Sequence, residues 1–288
     1  MRRIHPGRAA RAAALAAALA GTIAAGAAAQ GGGVAPEPEP EAQPEPAVEN
    51  PCLGEDARLL CPDLRMKVPA DITIDRRTRP GRVLLRSTNS IDSRGEGPAS
   101  LRGRRDGRKT MAARQVIQRT SGGPLYVSTG ARLYFQPIPD QDRYWKMADA
   151  ARFELWSVDH RNRLVERVRV GPKQNYCLRD LRRTSRMRRS PGREVFPACN
   201  QDPRKRAVTL GTSVGWSDIY PWSYHQNWID VTGVKPGRYA YIHIADPKNG
   251  IWEIDEGNNS AHAIVRLPAG RVTGGGRQRT APADDPRY

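Results

Sequence analysis

The sequence predicts an all-β domain, a β-sandwich with long loops and little helix. Three observations carry this expectation. Short runs of β-branched and aromatic residues recur along the chain, each bounded by Gly, Pro, Asp or Asn. Residues 153–158 alternate with period two, residues 159–163 form a turn, and residues 164–170 return, which reads as a hairpin. No stretch carries the sustained period of a long amphipathic helix. Strands this short and this frequent close into a sandwich or a barrel, and the sandwich is the expectation taken forward.

The elements follow in chain order. Residues 1–29 read as a secretory signal peptide: Arg2, Arg3, Arg8 and Arg11 precede an Ala-rich apolar run, and Ala27, Ala28 and Ala29 offer a cleavage site. The run is short for a membrane span. Residues 30–51 are of low complexity, with Pro and Glu alternating from Pro36 to Pro46; they bury too little apolar surface to offset their ordering entropy and are expected to form a disordered acidic linker. Residues 52–268 form the domain, and residues 269–288, rich in Gly, Arg and Pro, are expected to be a disordered tail. Inside the domain, strands are expected at 72–74, 82–86, 115–117, 125–127, 133–135 and in the hairpin at 153–170. Trp228, Ile229 and Val231 make a further strand, and Lys235, Pro236 and Gly237 turn the chain. Tyr239, Ile242 and Ile244 mark the next strand, and residues 261–267 the last.

Lys and Arg number 47 against 30 acids, a net charge of +17. Cleaving residues 1–29 removes four arginines and no acid, which leaves +13, so the exported chain stays basic. The expected location is therefore extracellular or cell-envelope, with no membrane span after cleavage. Four cysteines suit an oxidising compartment. Three pairings are open. Cys52 with Cys61 and Cys177 with Cys199 is the favoured set, because each bridge closes a loop at an edge of the domain. Cys-x-x-Cys motifs, hydrolase motifs, phosphate loops and dinucleotide fingerprints are absent.

Glu253, Asp255, Asn258 and Asn259 place four oxygen-bearing side chains in seven positions between two strands. That is hard-cation chemistry, although Asp and Asn are also ordinary turn formers. Together with the strand around Trp228, residues 215–265 resemble the C-terminal part of the lysyl oxidase domain. The resemblance implies a structural calcium site. Asp63, Glu253, Asp255, Asn258 and Asn259 would give side-chain oxygens and Leu64 a backbone carbonyl, enough for a cation that takes six to eight.

The same resemblance names a cofactor pair. Lys173, in Gly-Pro-Lys-Gln-Asn-Tyr-Cys, and Tyr220, in Trp-Ser-Asp-Ile-Tyr, fall where the family cross-links a lysine to a tyrosine as lysine tyrosylquinone. In the family that quinone oxidises primary amines to aldehydes, and copper is needed to make it. The three histidines that hold copper in the family align with Asp142, Tyr144 and Lys146. None is an imidazole, the ligand that suits copper. His243 and His262 lie on neighbouring expected strands and lack a third partner. Finally, Arg182, Arg183, Arg186, Arg188 and Arg189 crowd a loop in which Asp180 is the one acid, a footprint for a polyanion. No aromatic residues interleave them, so nucleic-acid stacking is not indicated. The expectation is an exported binding or structural domain with calcium, no copper and an anionic partner. The alternative is a copper- and quinone-dependent amine oxidase.

Overall fold

The computed structural model describes residues 49–139, 142–268 and 271–278. The chain divides into two units, Met1–Glu45 and Pro46–Tyr288, and every described residue lies in the second. The expected signal peptide and the linker up to residue 48 lie outside the described residues.

Eighteen strands make up the described fold. They are β1 (Leu59–Leu60), β2 (Leu64–Met66), β3 (Ala70–Asp75), β4 (Leu84–Ser93), β5 (Ala99–Arg105), β6 (Thr110–Arg119), β7 (Leu125–Val127), β8 (Arg132–Pro137) and β9 (Arg143–Val158). There follow β10 (Leu164–Val170), β11 (Gln174–Tyr176), β12 (Arg182–Arg183), β13 (Ala207–Thr212), β14 (Trp216–Tyr220), β15 (Trp228–Asp230), β16 (Gly237–Ala245), β17 (Ser260–Leu267) and β18 (Arg271–Gln278). Among the described residues helix is confined to two three-residue 3-10 turns, Pro51–Leu53 and Glu256–Asn258.

The strands form two antiparallel sheets, as the period-two reading predicts. The larger runs β13-β5-β6-β8-β9-β16-β17-β18, with β1 and β7 on β6 and with β10 and β11 on β9. The smaller runs β12-β14-β4-β15, with β2 and β3 also on β4. Leu85 and Ile91 of β4 and Ile229 of β15 join Phe153, Leu155, Tyr241 and Val265 of the larger sheet in one buried cluster. The expected hairpin is β9 and β10, closed at Asn162 with φ 63°.

The longest strand, β9, changes partners midway. Its first part pairs β8, and Ala151 to Ser157 pair β16. Between them Asp149 sits at φ 50°, a left-handed conformation that interrupts the pleat. Its amide donates to Asn175 Oδ1 at 2.9 Å, and its carboxylate pairs with Lys248 at 2.8 Å. The neighbours hold the unusual backbone in place.

Several elements differ from the sequence expectation. Strands β5, β13 and β14 are not expected, because their apolar residues are few and interrupted by Arg, Ser, Thr and Asp. The strand expected at 82–86 is the start of a ten-residue strand, β4, whose polar residues are almost all buried. Arg271–Gln278, expected as unstructured tail, adds a strand to β17. Main-chain hydrogen bonding to an open edge needs no apolar pattern, so composition hides it. Asn50 and Pro51, expected in the linker, belong to the fold: Asn50 caps the first 3-10 turn and donates to the Glu253 carbonyl at 3.1 Å. Both disulfides form as favoured, Cys52–Cys61 and Cys177–Cys199, with Cα separations of 5.7 and 5.8 Å.

Candidate functional site

The site is built around one cavity of about 660 Å³. Strand β14 ends at Tyr220, and the chain from Pro221 to His225 folds over the cavity as a wall. Strand β9 supplies Tyr144 and Lys146. Period two places these two on one face and sends Trp145 to the other, where it packs on Phe135 with ring centroids 5.3 Å apart. The Cys177–Cys199 bridge and Arg179 close a further side.

The floor is phenolic. Tyr220 stacks on Tyr176 with centroids 3.8 Å apart, and Tyr224 meets Tyr220 edge-on at 4.8 Å. A polar network fixes this stack. Tyr176 takes a hydrogen bond from Asn89 at 2.9 Å and donates to Asn227 at 2.9 Å, and Asn227 in turn donates to the Tyr220 carbonyl at 3.1 Å. The Tyr220 hydroxyl donates to the Cys177 carbonyl at 3.3 Å. Burial, reinforced by Asp218, holds the Tyr220 phenol well above its ordinary pKa, so it is a neutral donor at physiological pH. Burial also raises Asp218, whose two side-chain oxygens are buried without a geometric hydrogen bond.

Lys146 lies 1% exposed, and its amine donates to the Tyr224 hydroxyl at 3.1 Å. Burial lowers its pKa to about 8. His225 lines the same cavity; burial, then Lys146 and Arg86, lower it to about 4, so it is neutral at pH 7. Arg86 is tied down by Asp75 at 2.8 Å and by the carbonyls of Trp222 and Tyr224. Tyr224, His225 and Arg86 are site residues that sequence reasoning missed, and Arg179, which opens the arginine-rich loop, lines this cavity. The dense Tyr-Pro-Trp-Ser-Tyr-His run after Tyr220 was the available signal.

The other expected residues are distributed as follows. Lys173 is exposed and lines a second cavity of about 450 Å³ with Asp149, Asn175 and Lys248, whereas Tyr220 lines the first. Asp142 is exposed, accepts from Gln201 at 3.0 Å, and lines neither. His243 pairs across from Ala261 while His262 pairs across from Ile242, so their rings lie on opposite faces of the sheet. His243 is buried on Phe153 and Ser87.

The expected calcium residues converge in part. Glu253 is fully buried; its two oxygens accept from the Leu64 amide and, at 2.8 Å, from Asn259 Nδ2. Asp63 binds Arg65 through one oxygen, at 2.7 Å, and its other oxygen is buried without a partner. So are the side-chain oxygens of Asn258 and Asn259. Asp255 caps the second 3-10 turn through the Gly257 amide. Burial raises Glu253 well above the usual carboxylate range, with Glu256 and Asp246 adding to it. No group of three or more His, Cys, Asp or Glu side chains arranged for a metal occurs among the described residues.

The arginine loop is partly engaged. Arg188 and Arg189 pair with Glu96 at 3.1 and 3.2 Å, and Arg182 and Arg183 form β12 against β14. Asp180 does not oppose them. It accepts from the amides of Val195, Phe196 and Ser213 and from the Ser213 hydroxyl.

The family model for lysyl oxidase matches residues 138–273, a span that contains Lys146, Tyr220 and Glu253. That span, just under half of the chain, is of the lysyl oxidase type. Its relatives include protein-lysine 6-oxidase of Sus scrofa, 27% identical over 43% of this chain and 43% of that protein. The Bos taurus protein-lysine 6-oxidase is 27% identical over 43% of this chain and 26% of its own length. Lysyl oxidase homolog 3 of Homo sapiens is 27% identical over 37% of this chain and 13% of its own. The chain thus spans less than half the length of these relatives. The lysyl oxidase fit of the cavity is incomplete: its lining carries one imidazole, His225, beside an amine at Lys146, which is not a donor set for copper.

Proposed function

We propose that this chain is an exported lysyl-oxidase-type β-domain that holds calcium and binds an anionic partner, without the copper and quinone chemistry of its relatives. The observation that carries the reading is Lys146. An ammonium buried against Tyr224 stands where the family gathers imidazoles, and a cation there opposes a dication. The calcium part is supported by the unpartnered buried oxygens of Asp63, Asn258 and Asn259 around Glu253. Buried polar atoms are normally satisfied, and a hard cation satisfies oxygens of this kind. Calcium would then join the segment at Asp63 and Leu64 to the loop before β17. The basic balance of the chain and Arg182, Arg183 and Arg186 support an anionic partner at the cell surface or outside it.

A second reading is favoured by Tyr220. It lines a cavity whose rim includes the exposed Trp222, so a copper-dependent amine oxidase would have its tyrosine within reach of a substrate. Metal analysis of the purified protein separates the two. The proposed reading gives calcium, no copper, no quinone absorption band and no peroxide from primary amines. Stoichiometric copper with a quinone band overturns it.

A further inference from the structure

We propose that the cavity over Tyr220 binds a small planar carboxylate, anchored by Arg179 and Lys146 and stacked among tyrosines. The inference rests on the copper-less reading above. Arg79, Arg86, Lys146, Arg179 and His225 line the space, and no carboxylate does. Arg86 is neutralised by Asp75. The other three cations form no ion pair among the described residues. Arg79 lies over the Trp228 ring at 4.2 Å, and the polar partner of Lys146 is a neutral phenol. The Nε atom of Arg179 and the Nε2 atom of His225 are buried without a hydrogen-bond partner.

The nearby acids do not supply the missing charge. Asp180 follows Arg179 in sequence but is occupied by four donors from Val195, Phe196 and Ser213. Asp218 is fully buried, and burial favours its neutral form. Cations held without a counter-charge in a partly desolvated cavity are costly, and an entering carboxylate removes that cost. A guanidinium fork matches the two carboxylate oxygens. Tyr144, Tyr220, Trp222 and Tyr224 border the same space, so a flat ring attached to the carboxylate gains apolar and stacking contact. About 660 Å³ is within the range of small-molecule sites. The same field repels the ammonium that a lysyl oxidase substrate carries.

Calorimetric titration of the full chain with sodium benzoate, inorganic phosphate and benzylamine tests this. Benzoate is expected to bind at one site, and the other two are not. Arg179→Gln and Lys146→Met are each expected to weaken benzoate by about tenfold or more, the loss of one charge-assisted contact. Arg79→Ala, at an exposed position whose side chain lies over the Trp228 ring, is expected to weaken it severalfold. Absence of heat at millimolar benzoate overturns the proposal. So does equal binding of phosphate or benzylamine, or full affinity in both arginine variants. Copper in the purified protein would sink the underlying reading; a copper-free protein that ignores benzoate sinks this proposal alone.

Discussion

The Lys146 amine titrates near 10.5 in an unfolded chain and at about 8 in the folded one. The other titratable groups lining the cavity are Arg79, Arg86, Arg179, His225, Tyr144, Tyr220 and Tyr224, and none is a carboxylate. Between pH 8 and 10.5 the folded protein therefore binds fewer protons than the unfolded chain, and stability rises with pH across that window. Below pH 8 the full penalty is present. Lys146→Met removes it, so the variant is expected to exceed the parent at pH 7 by on the order of 2 kcal/mol, with the difference shrinking towards pH 10.5. Urea unfolding at both pH values measures this. A less stable variant at pH 7 would mean that the ammonium is already compensated. At this scale the sequence revealed which residue types were present and which were missing. It did not reveal that Arg179 and His225 line one cavity with Lys146, because they come from segments that only folding brings together.

Among the elements, β9 and the Cys177–Cys199 loop do most to shape the cavity. Asp149 breaks the pleat of β9 at φ 50° and lets one strand serve β8 on one half and β16 on the other. Asp149→Gly is expected to be tolerated, because glycine adopts this conformation freely. Asp149→Val is expected to cost roughly 1–3 kcal/mol, since a β-branched residue at positive φ is strained. Thermal unfolding of the two variants checks the ordering, and equal midpoints would refute it. The Cys177–Cys199 bridge closes a loop with a sequence separation of 22. Replacing both cysteines by Ser is expected to cost about 3 kcal/mol and to weaken benzoate binding, because Arg179 and the Tyr220 acceptor both lie beside the bridge. Strands with alternating apolar residues were legible in the sequence. Strand β4 was not: buried Ser87, Asn89 and Asp92 each hydrogen-bond a side chain of another strand. No local pattern records that.

For the molecule as a whole, the proposed calcium would link residues about 190 positions apart, as the Leu64 amide and Glu253 already do. A ligand that binds only the folded state at a hundred times its dissociation constant stabilises by about 2.7 kcal/mol. Adding calcium is therefore expected to raise the unfolding temperature by several degrees, and a chelator to lower it. Glu253→Gln is expected to abolish the calcium response and to cost the metal-free protein about 1–3 kcal/mol, because both Glu253 oxygens accept hydrogen bonds and an amide nitrogen would face one of those donors. A parent indifferent to both calcium and chelator would count against the site.

The sheet-rich class, a favoured pairing of the cysteines and the resemblance to lysyl oxidase could be read along the chain. Each of these is written in local period, cysteine spacing or a contiguous string such as the Trp228 strand. Only the packing of the sheets places Lys173 in a different cavity from Tyr220, withdraws Asp180 from the arginines, and lines one aromatic cavity with three cations that form no ion pair among the described residues. The reason is physical. Charge compensation depends on distances between segments far apart in the chain, and those distances are fixed by how the two sheets pack rather than by the order of residues along either one.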